Sequence, residues 1–285
     1  MTYQDRYGRW ALVIGASATV GEQFARQLGA KGMNVAMVAR RKEQLDRVGA
    51  EIAQAHGVET RTIALDLLED AAIEKLRDAT ADLEIGFLVI NANRHQVGHF
   101  DLMSLEDKQT MARMNFEMPI VLSHHYGGDM VARKRGAIVM LNEVHCFSPL
   151  DFDAVFQGTK AGLRLFTESL WAEYRKSNVR VASVHLSGIE ESDSFNAKIT
   201  PTRRRLIKLL GASMEPRAIV EGALEQLERG KLMLVPDTWT FLNIYTLKFT
   251  DLMRLIGGKF SIITQSAFFS WFMDGEGSKA GQGKK

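Results

Sequence analysis

One cysteine in 285 residues, Cys146, excludes a disulfide within the chain, so the fold must rest on its core. Net charge is equally scarce: 36 Lys and Arg against 34 Asp and Glu leave +2. That balance excludes nucleic acid as an expected partner, although a pI near 8.6 leaves room for an anionic ligand such as a phosphate. No run reaches the ~18 to 20 apolar residues of a spanning helix. The longest apolar-rich stretch, Phe241 to Met273, is broken by Lys248, Asp251, Arg254 and Lys259. The opening MTYQDRYGRW lacks the basic-then-apolar pattern of a secretory leader, so a cytoplasmic location is expected. No metal is expected either, because His124 and His125 are adjacent on a predicted helix and face different directions.

What is present is a chain of 46% hydrophobic residues in which short apolar runs alternate with helical stretches. WALVI (10–14), MNVAMVA (33–39), VETRTIALD (58–66), FLVIN (87–91), GAIVMLN (136–142), VRVASVHL (179–186) and KLMLVP (231–236) read as strands. Helices are expected between them, including a long one from about Asp153 to Lys176. This rhythm predicts an α/β fold, a doubly wound parallel sheet covered on both faces. No composition shift divides it. Residues 1–240 are expected as one domain, 241–275 as its C-terminal helical extension, and 276–285 as a disordered tail.

After the first strand, GASATVG (Gly15 to Gly21) opens a helix. A glycine-bearing turn there lets backbone N–H groups meet a pyrophosphate at the positive helix end. The spacing resembles the turn of the short-chain dehydrogenase/reductase family, a Rossmann-type fold, and the resemblance runs over roughly residues 8–236. It implies a cofactor wall of Gly15, Ser17, Thr19, Val20, Gly21, Arg40, Arg41, Asp66, Leu67, Asn91, Ala92, Asn93, Lys160, Gly188 and Ile189. Arg40 and Arg41, standing without an acid at the end of the second strand, favour NADP as the cofactor. The resemblance also implies a homodimer or homotetramer packed through helices near 107–134 and 153–176.

The pattern breaks at the reacting groups. Family members that reduce carbonyls use a tyrosine four residues before the lysine as proton donor, and a serine 13 residues earlier to polarise the substrate oxygen. Here Phe156 precedes Lys160, and Glu143 stands at the serine position. Phenylalanine keeps the ring but cannot transfer a proton, a loss worth ~10² to 10⁴ in rate. Thr19, Asn93 and Ser187 are further departures, at two family glycines and a proline.

The catalytic set implied by position is Glu143, Lys160, Asn115, Phe156 and His145. Three readings of it stay open: an inert Glu143–Lys160 salt bridge in a silent binding or scaffold protein, non-redox acid/base chemistry at Glu143 on a bulky apolar carbonyl or alcohol compound, or hydride transfer with a substitute donor. Non-redox chemistry of isomerase, dehydratase or hydratase type leads. His145 would share a strand face with Glu143, and His95 and His99 lie in the loop after the fourth strand, on the ligand side of such sheets. Cys146 reads as core. A lid is expected from Ile189, Phe195, Ile199, Leu206, Leu209 and Leu210, with Arg203 to Arg205 as a basic helix face. The substrate inferred is bulky and apolar.

Overall fold

The computed structural model describes residues 1–147, 152–186 and 215–235. Seven strands form one parallel sheet: β1 Trp10–Ile14, β2 Asn34–Ala39, β3 Thr60–Ala64, β4 Ile85–Ile90, β5 Gly136–Glu143, β6 Val179–Leu186 and β7 Met233–Leu234. Their order is β3-β2-β1-β4-β5-β6-β7. The strands read as continuous apolar runs because both faces of the sheet are covered. Val13, Met37, Val89 and Val139 face one core, which holds Phe24, Leu45 and Leu224. Leu12, Ile14, Leu88 and Ile138 face the other, which holds Leu76, Leu122 and Leu163.

The first core is closed by α2 (Thr19–Ala30), α3 (Lys42–His56) and a C-terminal helix, Pro216–Glu228. The second is closed by α4 (Ala72–Thr80), α6 (Met118–Arg133) and α7 (Ala154–Tyr174). The doubly wound sheet expected from sequence is therefore present. The expected extension and tail, 241–285, and the lid from Ile189 lie outside the described residues.

Two local features depart from the sequence reading. A single-turn helix, α1 (Tyr3–Tyr7), stands where no element was expected. It is nucleated by a reciprocal cap in which Asp5 N donates to Thr2 Oγ1 and Thr2 N donates to Asp5 Oδ2, and Tyr7 packs edge-on against Phe87. The helix expected over 107–134 is interrupted: α5 (Leu105–Ala112) passes into a π-helical turn, Arg113–Glu117, before α6 begins. Pro119 explains the slip. It has no N–H to return to the carbonyl of Asn115, four residues back.

The order of strands puts the topological switch beside β1, where one crossover runs to β2 and the next to β4. The gap outside the carboxyl ends of β1 and β4 is where such sheets bind ligands. Here the chain is drawn tight: Asn91 Nδ2 donates to the Gly15 carbonyl at 3.0 Å. A Cβ on Gly21 would stand 2.0 Å from that same oxygen and 2.6 Å from Asn91 Nδ2. Gly21→Ala should therefore lower stability by about 1–3 kcal/mol, because the nearest clash is with backbone and no rotamer relieves it. A urea unfolding midpoint that does not move would show that α2 can back away from β1 at no cost.

Candidate active site

A cleft of about 520 Å³ opens over the switch point. Gly15, Ser17 and Thr19 form one wall, Arg40, Arg41, Asp66 and Leu67 a second, and Asn91, Ala92 and Asn93 a third. Ten of the expected cofactor residues thus meet around one space. Leu68, Arg94 and Met114 are among the further lining residues that were not singled out from sequence. Val20 turns its side chain into the core, at 1% exposure, since the first turn of α2 buries that face. Gly21 lies beneath the turn rather than in the wall, and Gly188 and Ile189 lie outside the described residues. Among the described residues no cluster of side chains could hold a metal.

The electrostatics at the end of β2 are cationic. Arg41 Nη2 donates to the carbonyl (3.2 Å) and hydroxyl (3.1 Å) of Ser17, bracing the turn. Arg40 reaches Asp66 only at 3.9 Å and is 76% exposed, so this pair contributes little and leaves the guanidinium available. Thr19 has φ of 47°, left-handed backbone that a β-branched side chain occupies only under strain. The site at which the family carries glycine here keeps the glycine's backbone conformation with the wrong residue type.

Deeper in, β5 and α7 are tied together. Asn142 Nδ2 donates to the Lys160 carbonyl (3.1 Å), and Lys160 Nζ donates to the Leu141 carbonyl (3.1 Å). Lys160 is 4% exposed, and burial pushes its ammonium down from the ordinary lysine value, with Glu143 opposing the shift. The expected Glu143–Lys160 salt bridge is absent: among the described residues no carboxylate pairs with Lys160. Glu143 Oε1 instead accepts from Gln157 Nε2 at 2.9 Å, because Gln157 lies one residue past Phe156 on the turn of α7 that faces the end of β5. Lys160 Nζ lies 5.5 Å from the centre of the Phe156 ring.

Phe156 is 3% exposed and stacks on the imidazole of His95, centroids 4.0 Å apart and planes 27° apart. His95 Nε2 is 3.1 Å from Oδ1 of Asp153, whose side chain is 3% exposed. Asp153 Oδ2 accepts from the same Gln157 amide at 2.9 Å. Asn115, at the centre of the π-helical turn, spends both ends of its amide on the backbone of Arg94: Oδ1 accepts from N (2.8 Å) and Nδ2 donates to O (2.7 Å). It therefore fixes the loop that presents His95. Asp153 and Gln157 were missed in the sequence; their spacing of four on one helix face, beside Phe156, was the available signal.

The remaining residues separate. His145 lies outside the strand in which it was expected, because β5 ends at Glu143 and Val144–Phe147 is a 3₁₀ turn. His99 packs edge-on to Phe152 at 4.5 Å. Cys146 is buried, with burial pushing its thiol up to about 12, as a core residue requires. A second cavity of about 290 Å³ adjoins Asp153 and is walled by Phe100, Met103, Met111, Phe152 and Val155.

Against known proteins, the family profile for short chain dehydrogenase matches residues 9–202. The chain is 31% identical over 231 residues to a 7beta-hydroxysteroid dehydrogenase from Clostridium sardiniense, covering 80% of this chain and 85% of that protein. A solved structure concerned with 7beta-hydroxysteroid dehydrogenase stereoselectivity superposes with a TM-score of 0.81 at 27% identity, over 90% of this chain and all of that one. A metagenomic short-chain oxidoreductase in complex with NADP superposes with a TM-score of 0.64 at 27% identity, over 79% of this chain and 92% of that one.

The burial of Lys160 has a consequence for pH. Its proton is held less tightly in the folded chain than in the unfolded one, so the unfolded state binds more protons between the depressed value and the ordinary 10.5. Stability then rises with pH across that window. Lys160→Met should be more stable than the natural chain near neutrality, and the gap should narrow as pH approaches 10.5. Parallel unfolding curves for the two proteins across that range would show that the ammonium is not desolvated.

Proposed function

This chain belongs to the short-chain dehydrogenase family, and from that premise we propose that it is an NADP(H)-dependent oxidoreductase of bulky, apolar carbonyl or alcohol compounds whose proton does not come from position 156. The observation that carries the reading is the cleft at the switch point: intact, open, and ending on Arg40 and Arg41 with no acid at the end of β2. Two guanidiniums there suit the 2′-phosphate that distinguishes NADP from NAD. The residues fit the rest of the dinucleotide: Gly15, Ser17 and Thr19 for the pyrophosphate, Asp66 and Leu67 for the adenine, and Asn91 to Asn93 along the backbone. Bound NADPH would supply the hydride.

Everything else falls to side chains of this protein. Phe156 is buried against His95 and cannot move a proton. Lys160 lies behind the Phe156 ring, its Nζ donating to the Leu141 carbonyl. The relatives that are named as hydroxysteroid dehydrogenases, together with the apolar cavity beside Asp153, support a steroid-sized substrate. Non-redox chemistry at Glu143 retains one observation, a half-buried carboxylate held by a single amide. A silent binding protein retains another, the missing hydroxyl at position 156.

Calorimetry separates these readings. NADPH is expected to bind in the micromolar range and NADH at least ~10-fold more weakly, about 1.4 kcal/mol. Replacing Arg40 and Arg41 with Ala should erase that preference, and Thr19→Gly should tighten both nucleotides. NADPH should then be consumed with a 7-ketosteroid. Absence of binding at millimolar NADPH would sink the reading. Binding without turnover would leave the silent protein, and 7-ketosteroid reduction that survives Glu143→Gln would remove that carboxylate from the chemistry.

We also place the protein in the cytoplasm, in keeping with its one, buried cysteine, and infer a homodimer or homotetramer through α6 and α7. Large apolar residues point outward there, Ile120 at 36% exposure and Leu165 at 55%. Leu165→Asp should shift the sedimentation coefficient to that of a monomer; a natural chain that already sediments as a monomer of 31.9 kDa would contradict the inference.

A further inference from the structure

The hydroxyl that Phe156 lacks has no replacement on its own helix, but an imidazole lies against its ring. We propose that His95, held by Asp153, is the acid–base residue of this site and stands in for the missing phenol; the inference rests on the oxidoreductase reading above. Three observations meet there. The imidazole is stacked on Phe156, so it occupies the face of the residue that carries tyrosine in carbonyl-reducing members of the family. Its Nε2 is bonded to a carboxylate that is almost fully buried, which orients the ring. The side chain is 33% exposed, so it can exchange protons with solvent between turnovers.

The loop that presents His95 is fixed on both sides. Asn115 clamps the backbone of Arg94 just before it, and Gly98 N donates to the Phe152 carbonyl (2.8 Å) just after. The charged groups around the ring are accounted for. Asp153 binds it directly, Glu143 is linked to Asp153 through Gln157, Lys160 lies across Phe156, and Arg94 is engaged by Asp107 at 3.0 Å. One Gln157 amide nitrogen donates to both Asp153 and Glu143, using both of its hydrogens.

With Nε2–H committed to Asp153, the proton that moves is on Nδ1, which has no partner among the described residues. In the reducing direction the carbonyl carbon takes the hydride, the Nδ1–H bond of the imidazolium breaks, and an O–H bond forms on the substrate oxygen. The carbonyl is reduced to an alcohol and the dinucleotide oxidised. The imidazole, neutral and still bonded to Asp153, regains its proton from water. Oxidation of an alcohol runs the same path in reverse, with neutral Nδ1 as the base.

The test uses the full chain, NADPH and a 7-ketosteroid, with turnover followed across pH and NADPH affinity measured by calorimetry. His95→Gln should lose ~10² to 10⁴ in rate while NADPH affinity is unchanged, because His95 lies outside the cleft wall. Glutamine keeps an N–H for Asp153, so a merely structural histidine would survive this change. Reduction by the natural chain should fall as pH rises and the imidazolium is lost, and His95→Gln should lose that slope. Added imidazole should restore part of the rate of His95→Ala. Unchanged turnover and pH slope in His95→Gln would overturn the proposal while leaving the oxidoreductase reading intact. A natural chain that binds NADPH and reduces nothing would overturn that reading instead. In that case nitrogen-15 NMR of the imidazole decides on the dyad alone: a neutral ring protonated on Nε2, becoming a tautomer mixture in Asp153→Asn, supports it, and a neutral ring protonated on Nδ1 rules it out.

Discussion

Asn91 of one crossover donates to the Gly15 carbonyl of the other, and Gly21 lets α2 close on that same oxygen. The parallel ladder holds β1 and β4 side by side as far as Ile14 and Ile90, and this contact continues the closure past their carboxyl ends. The cleft is the space left above the contact. Its walls are the turn after β1, the arginines after β2 and the Asn91 to Asn93 segment after β4. Because the sheet is buried on both faces, its strands cannot slide to relieve a change here without moving two cores at once.

The departures from the family pattern are not spread through that scaffold. Strand pairing, both cores and the cleft are intact, whereas the residues that would touch a reacting carbonyl are replaced. At Thr19 the backbone keeps a left-handed conformation that a glycine would adopt without strain. At position 156 the ring is kept and the hydroxyl lost, and the space beside the ring is filled by an imidazole with a buried carboxylate behind it. A desolvated lysine with no carboxylate partner among the described residues completes the picture. Such a group is costly to bury as the ammonium, and its one hydrogen bond among the described residues is to the Leu141 carbonyl.

The two carboxylates are held by one amide. Glu143 and Asp153 come from different elements, the end of β5 and the start of α7, and are bridged by the amide of Gln157. An amide nitrogen can satisfy two anions without neutralising either. The histidine therefore faces a carboxylate whose second oxygen is already engaged, which holds the ring in one orientation.

The residues alone determined the parallel sheet, its strands to within a residue or two, and ten of the residues that line the cleft. These features depend on period, on glycine and on arginine at fixed offsets from strand ends, which are all local in the chain. The cap of α1 was also written locally, in Thr2 and Asp5, but five residues give no periodicity to detect. Only the folded chain could decide that Glu143 pairs with Gln157 rather than Lys160, that His145 leaves the strand, and that Asn115 clamps a loop 21 residues upstream. The pairing of His95 with Asp153, 58 residues apart, belongs to the same class. Hydrogen bonds between loop and helix follow from where the sheet brings two chain segments together, and that distance is not encoded in the spacing of either.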